Sequence, residues 1–422
     1  MKKVVKCKSI GGSVEMISSK SLFHRYLILA SRSKHTKIYF HRMADDVNVT
    51  LDALKKIGSK IEIFDDRLEI KGFEKNKFGE IDFKESGSSL RFLLPYAFIE
   101  EGEYEFTGRG RLPQRPLFDL LEVMKSNGVE FSDDCLPFRA SGKLKGGEIS
   151  LKADISSQYI SGLLMASIFM GNAFVINLTS QPKSISYIEM TKKVMEDFGI
   201  NFYGLKLDKG SFIEPEEITI EGDWSNAIVP IALGLLKGEV RIKGLKKNSY
   251  QGDARIIEIL LDQGADIFWE NDSLVVKKSE LKPFDLDIDN NIDLFPLLSV
   301  LALSCDKRSV FRNTSRLRLK ESDRLEAVMD LHKKIGADSF ISGEDFVVVP
   351  RKYKSARINS YNDHRIVMAA VVASALADIV IEIEDFQAID KSYLGFEEDM
   401  RNLGLEIGED YEISRKDIKN KN

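Results

Sequence analysis

Lys320, Glu321 and Arg324 lie close together in the run Ser315-Arg316-Leu317-Arg318-Leu319-Lys320-Glu321-Ser322-Asp323-Arg324. Two cations flanking a carboxylate suit an anionic substrate whose protons must move. Leu325, Val328, Met329 and Ile335 follow at helical spacing, so Ser322 or Asp323 is expected to cap a helix here. The free N–H groups and positive dipole end of such an entrance already favour anions. Taken alone, the run is equally well read as a capped helix with a solvated first turn.

The same arrangement recurs along the chain. Ser19-Lys20-Ser21 with Arg25 precedes one apolar segment, and Ser86-Gly87-Ser88-Ser89 with Arg91 precedes a second. Ser156-Ser157-Gln158, Asp293 and Asn362-Asp363-His364-Arg365 stand before three more. Arg115-Pro116, Ser184 with Tyr187, and Lys391-Ser392 open amphipathic segments. A cap needs one Ser, Asp or Asn and no neighbouring cation. Cations at a helix N-terminus oppose the dipole by some tenths of a kcal/mol each, so their repetition points to anions that compensate.

The elements that must position these groups form a repeat. Amphipathic segments end at Gly58, Gly128, Gly199, Gly264, Gly336 and Gly404, at intervals of about 70 residues, each placed as a left-handed helix cap. Before each comes a segment apolar nearly all round, such as SLFHRYLILAS from Ser21 or IVMAAVVASALA from Ile366, expected to be a buried helix. Alternating runs such as AFVINLT and EVRIKGL read as strands. The expected unit is buried helix, strand, exposed helix, strand, six times over. A composition shift near Gly222 divides the chain into two domains of three units.

At 422 residues, two domains are the natural expectation. Hydrophobic content of 43% with 30% charged residues describes a soluble globular protein. A net charge of −5 argues against a nucleic-acid surface, so anion sites must come from local gathering of cations. Cys7, Cys135 and Cys305 form no close pair, and the histidines His24, His35, His41, His332 and His364 lack the spacing of a zinc helix. No P-loop or dinucleotide fingerprint is present. MKKVVKCKSI reads as a strand without a signal peptide's apolar core, and no run is long enough to span a membrane. A cytoplasmic monomer that binds small anions, with no nucleic-acid or membrane partner, is expected.

In order and spacing, SKSLFHR (Ser19–Arg25), SGSSLR (Ser86–Arg91), QRP (Gln114–Pro116), SSQ (Ser156–Gln158), QGD (Gln251–Asp253), KESDR (Lys320–Arg324), NDHR (Asn362–Arg365) and Lys391-Ser392 resemble the 5-enolpyruvylshikimate-3-phosphate synthase family nearly end to end. The resemblance implies an α/β, two-domain enolpyruvyl transferase fold, each domain three repeated βαβαββ units, hinged around a central cleft. It implies an N-terminal domain at 20–221 and a C-terminal domain made of 1–19 and 222–422. The implied reaction moves the enolpyruvyl group of phosphoenolpyruvate to the 5-hydroxyl of shikimate 3-phosphate, releases phosphate and needs no metal or organic cofactor.

By motif, the resemblance places Ser156, Ser157 and Ser184 on the shikimate phosphate with Gln158 and Tyr187 nearby. It places Lys20, Ser21, Arg25, Asp293 and Lys320 on the remainder of shikimate 3-phosphate. Lys20, Gly87, Arg115, Gln158, Arg324, Arg365 and Lys391 are implied around phosphoenolpyruvate, with Ser88, Arg91 and His364 as further candidates. Asp293 is the candidate base for the 5-hydroxyl and Glu321 the candidate proton carrier for the methylene, with Lys20 and Lys391 sharing proton duties. Members of the family bind the phosphonate glyphosate in the phosphoenolpyruvate position, where Gly87 is expected to leave the backbone open to the ligand.

Four positions depart from the family's pattern. Glu85 stands where Asn is common, Phe92 and Leu394 where Pro occurs, and Arg316 where some members place Asn. The related UDP-N-acetylglucosamine enolpyruvyl transferases usually carry a loop cysteine in the second unit, and Gly108–Pro113 has none. A non-catalytic repeat scaffold for an anionic partner would have no use for Asp293 and Glu321 beside the cations.

Overall fold

The structure, a computed structural model, describes residues 1–152, 154, 156–208 and 212–409. The chain forms two compact units. The N-terminal unit comprises residues 18–221 and 250–252; the C-terminal unit comprises 1–17, 222–249 and the described residues from 253 onward.

Among the described residues there are six four-stranded sheets, one per repeat. The second repeat shows the plan without interruption. Strand Phe78–Asp82, helix Gly87–Ala97, strand Gly102–Thr107, helix Phe118–Ser126 and the hairpin Val129–Phe131 with Phe138–Gly142 follow one another. The first two strands run parallel, Phe78 opposite Glu103 and Asp82 opposite Thr107, because a helix carries the chain back between them. The hairpin then pairs antiparallel, Phe106 opposite Phe138.

Three repeats borrow a strand from a distant part of the chain. The first takes Glu217–Thr219, with Ile218 parallel to Ile38. The fourth takes Ile10–Glu15, with Val14 beside Ile242. The sixth is completed by Lys3–Cys7, antiparallel to both Val380–Glu384 and Leu405–Gly408. The repeat read from the sequence therefore lacked a leading strand and one hairpin strand. Several of these are only three to five residues long, too short to announce themselves by alternation.

Helices Lys20–Ala30, Gly87–Ala97 and Ser157–Ser167 pack on one another to form the core of the N-terminal unit. Trp224–Lys237, Phe295–Ala302 and His364–Ala373 do the same in the C-terminal unit. Leu27, Leu93 and Leu163 are fully buried, as are Ile228, Leu298 and Val367. The amphipathic helices lie outside these cores. Gly58 and Gly336 cap two of them at φ 137° and 91°, a backbone region that costs glycine least. The other four glycines, Gly128, Gly199, Gly264 and Gly404, also have positive φ and lie two or three positions beyond the ends of their helices.

Close helix packing sets where the polar residues emerge. A Cβ on Gly162 would stand 2.4 Å from the carbonyl oxygen of Arg91, so the glycine lets Ser157–Ser167 approach Gly87–Ala97. That approach brings Gln158 alongside Arg91.

Candidate active site

In the N-terminal unit, Ser19 caps the first buried helix, its Oγ accepting from the Leu22 N–H. Lys20 is then the first helical residue, and its Nζ donates to Asp46 Oδ2 at 2.9 Å. One turn on, Arg25 is buried and pinned on several sides. Its Nε donates to Thr191 Oγ1 at 2.8 Å, Nη1 to the Ser21 carbonyl at 2.7 Å and Nη2 to the Tyr187 carbonyl at 3.1 Å. The Phe92 ring lies 5.0 Å from its guanidinium, so Phe92 acts as a cation–π shelf. Burial pushes the Arg25 pKa down to about 10, still charged at neutral pH. Ser184 holds a left-handed conformation (φ 52°), unusual for serine, at the start of the helix that carries Tyr187 and Thr191.

A second cluster gathers around Gly87. Ser86 caps its helix through the Ser89 N–H, and Ser156 caps the third buried helix through the Gln158 N–H. Arg91 Nη1 donates to the Gly87 carbonyl at 3.2 Å and to Gln158 Oε1 at 3.3 Å, while Nη2 donates to the Pro116 carbonyl at 2.9 Å. Gln158 Nε2 in turn donates to Ser88 Oγ at 2.8 Å. Arg115 is extended, as a residue before proline prefers, and the helix begins only at Phe118 rather than at Arg115-Pro116. A Cβ on Gly87 would meet Arg115 Nη1 at 2.4 Å and Arg91 Nη1 at 2.5 Å. This corrects the expectation that Gly87 leaves bare backbone: two guanidinium groups cover it. Ser157 is buried on the same helix start, beside Ser156 and Gln158.

The C-terminal unit is centred on Arg324. Asp323, rather than Ser322, caps its helix, accepting from the Glu326 N–H. Arg324 is therefore the first helical residue, and its side chain turns inward to 1% exposure. Nε donates to Asp363 Oδ2 at 2.9 Å, Nη1 to Asp293 Oδ1 at 2.6 Å and Nη2 to Glu321 Oε2 at 2.7 Å. Asp363 is wholly buried, while Asp293 and Glu321 keep 20% and 24% exposure. Lys320 Nζ also reaches Asp293 Oδ1 at 3.1 Å. Burial works to raise the Asp293 pKa, but the charges of Lys320, Arg324 and Arg365 prevail and hold it well below the carboxylate range.

Asp363 has further duties. It accepts from Ser322 Oγ at 2.9 Å and caps helix His364–Ala373 through the Arg365 N–H at 2.9 Å. Arg365 Nη1 donates to the Ser225 carbonyl at 2.5 Å, and His364 is buried beside Asp363. Tyr361 and Asn362 are both left-handed, at φ 54°. The Asn362 carbonyl receives Lys391 Nζ at 2.7 Å. Asp293 sits in the short turn Ile292–Leu294 that runs into helix Phe295–Ala302.

The structure thus brings Ser21, Arg25 and Tyr187 into one cluster and Gly87, Ser88, Arg91, Arg115 and Gln158 into another. Asp293, Lys320, Glu321 and Arg324 form a third, tied through Asp363 to the helix start of His364 and Arg365. Sequence reasoning missed Asp46, Thr191 and Ser225, which hold Lys20, Arg25 and Arg365 respectively. Asp46 lies in the first turn of helix Asp45–Ile57, where an acid is favoured whatever else it does, and the other two stand in no motif. Of the departures, Arg316 Nη2 donates to both Asp289 Oδ1 and the Asp289 carbonyl at 2.7 Å. Glu85 packs where a Cβ on Gly110 would fall, 2.8 Å away, and Leu394 is exposed. No described helix is long and apolar enough to cross a membrane.

This architecture is the two-domain α/β fold of the enolpyruvyl transferases. The EPSP synthase of Acinetobacter baumannii superposes with a TM-score of 0.80 at 22% identity, covering 97% of this chain and 100% of that one. The enolpyruvyl transferase NikO from Streptomyces tendae gives 0.73 at 17% identity, covering 96% and 98%. A family model described as EPSP synthase (3-phosphoshikimate 1-carboxyvinyltransferase) matches residues 4–400. The 3-phosphoshikimate 1-carboxyvinyltransferase of Methanocorpusculum labreanum is 33% identical over 422 residues, 97% of this chain and 100% of the relative. That of Clostridium botulinum is 36% identical over 412 residues, 93% and 95%. The chain belongs to the EPSP synthase family and is a transferase.

Proposed function

We propose that the chain transfers the enolpyruvyl group of phosphoenolpyruvate to the 5-hydroxyl of shikimate 3-phosphate and releases phosphate. Ser156, Ser157 and Ser184 take the shikimate phosphate, with Gln158 and Tyr187 beside it. Ser21, Arg25, Asp293 and Lys320 take the ring and its carboxylate. Lys20, Arg115, Arg365 and Lys391 surround phosphoenolpyruvate, with Gly87, Ser88 and Arg91 shaping that side. Arg324 joins them through its remaining donor capacity while it holds the carboxylates in place. Charge-assisted contacts of about 1.5–3 kcal/mol each offset the repulsion between two multiply charged anions.

The observation that carries this reading is the pair of part-exposed carboxylates, Asp293 and Glu321, on one buried guanidinium. Asp293 accepts the 5-hydroxyl proton as that oxygen attacks C2 of phosphoenolpyruvate. Glu321 delivers a proton to C3, which becomes a methyl group in a tetrahedral adduct. Phosphate then leaves C2 and carries away the proton that Asp293 had taken, and Glu321 takes a methyl proton back as the double bond re-forms. Asp293 as it stands is too acidic to be an effective base. Substrate anions that engage Lys320 and Arg365 withdraw those charges from it, so Asp293 gains basicity only when the substrates are bound.

The test is incubation with phosphoenolpyruvate and either shikimate 3-phosphate or UDP-N-acetylglucosamine while phosphate release is followed. Release with shikimate 3-phosphate alone is expected. Release with the nucleotide sugar alone, or with neither, contradicts the assignment.

A further inference from the structure

The Gln251-Gly252-Asp253 motif has no role in the reaction described above. Its first residue accepts from Ser19 Oγ at 2.7 Å and donates to Glu221 Oε1 at 2.7 Å within the N-terminal unit. The chain passes into the C-terminal unit between Gly252 and Asp253. There Asp253 is buried, and its two oxygens face in different directions. Oδ2 accepts from Ser225 Oγ, and Oδ1 accepts from Asn291 Nδ2 at 3.2 Å.

Both partners lead to the candidate site. The backbone carbonyl of Ser225 receives Arg365 Nη1 at 2.5 Å. Asn291 is the residue before the turn Ile292–Leu294, which carries Asp293, and its carbonyl accepts the Leu294 N–H at 3.0 Å. One carboxylate therefore grips the anchor of a cation and the base of a catalytic turn. We propose that Asp253 is a positioning residue of the reaction: it fixes Asp293 through Asn291 and Arg365 through Ser225. This rests on the roles assigned to Asp293 and Arg365 in the transfer proposed above.

A purely structural tie would not require a carboxylate here. A buried carboxylate close to a second one is costly, and burial together with the Asp293 charge raises the Asp253 pKa. A neutral amide could accept from the same hydroxyl at less cost. What the amide could not do is balance Arg365, whose charge acts on Asp253 in the opposite sense.

The two arms can be separated. Ser225→Ala cuts the link towards Arg365 and should raise KM for phosphoenolpyruvate about fivefold, with kcat within about twofold of the parent. Asn291→Ala frees the Asp293 turn and should lower kcat about tenfold, with that KM within about twofold. Asp253→Asn should show both changes, and its crystal structure should show Asp293 and Arg365 displaced. Kinetic constants of all three variants within about twofold of the parent, or Asp293 and Arg365 unmoved in Asp253→Asn, overturn the proposal. A parent protein that fails to turn over shikimate 3-phosphate refutes the reaction instead, and the variant's structure still decides the positioning.

Discussion

Arg324 Nε meets Asp363 Oδ2 at 2.9 Å, and neither side chain exceeds 1% exposure. This pair joins two helix entrances, because Arg324 opens one helix and Asp363 caps the other. A buried ion pair adds little stability over an apolar replacement, but removing one partner strands the other. Asp363→Ala leaves Arg324 short of its most buried partner and strips the cap from His364–Ala373. Chemical denaturation should show a loss of about 3–5 kcal/mol in the C-terminal unit. A loss under about 1 kcal/mol would mean that Arg324 finds full compensation in Asp293 and Glu321.

Gly87→Ala is expected to act through the two guanidinium groups over Gly87. Arg91 is held by three acceptors and cannot retreat freely, so Arg115 must move. An overpacked site loses about 1–3 kcal/mol, or roughly five- to 150-fold in affinity. KM for phosphoenolpyruvate and the inhibition constant for glyphosate should both rise, the latter more because glyphosate is longer. Steady-state inhibition assays on parent and variant check this, and equal constants in the two proteins contradict it.

Much of the architecture is legible without coordinates, for reasons that are local. The six glycines mark helix ends because only glycine takes positive φ cheaply, and the apolar segments mark buried helices because no polar face interrupts them. The borrowed strands are not legible. Glu217–Thr219 is three residues long and its partner lies near residue 38, so nothing adjacent in sequence announces the pairing. Within the site, charge and helix entrances locate Lys20, Arg25 and Arg324, but sequence does not give depth. Arg324 reads as one more cation facing a ligand, whereas its first-turn position directs it beneath Asp293 and Glu321. Asp46 escapes, and Asp253 stands in a motif without a role, for the same reason: each matters through what it holds.

Phe92→Leu should weaken the shikimate side specifically. The substitution removes the ring beneath the Arg25 guanidinium while keeping an apolar side chain in a buried position. A cation–π contact of about 0.5–2 kcal/mol corresponds to roughly two- to 30-fold in affinity. Calorimetric titration with shikimate 3-phosphate should show that weakening, with KM for phosphoenolpyruvate nearly unchanged. An unchanged shikimate 3-phosphate affinity would remove Phe92 from any supporting role.

Stability should fall on acidification from neutral pH. Burial and the charges of Lys20 and Arg25 hold the His24 pKa well below its ordinary value, and burial pushes His332 down to about 3. Both are neutral in the folded chain, whereas the unfolded chain takes up protons below about pH 6.5. The unfolded state then binds more protons, so each histidine removes up to about 1.4 kcal/mol per pH unit between its unfolded and folded pKa. Asp293 adds a further loss only at lower pH, as its depressed pKa is approached. Urea midpoints should drop between pH 7 and pH 5, and less so in His332→Gln. Equal midpoints across that range would contradict the buried neutral state.

The proton carried by Glu321 gives the most direct access to the chemistry. In D₂O, the parent enzyme with phosphoenolpyruvate and shikimate 3-phosphate should place deuterium in the methylene of the enolpyruvyl product, seen by NMR or mass spectrometry. Glu321→Gln keeps an acceptor for Arg324 but cannot deliver the proton, and losing such a group costs about 10²–10⁴-fold. The variant should bind shikimate 3-phosphate with near-parental affinity while product formation and deuterium uptake fall together by that factor. Deuterium uptake at the parental rate in Glu321→Gln would show that another group carries the proton.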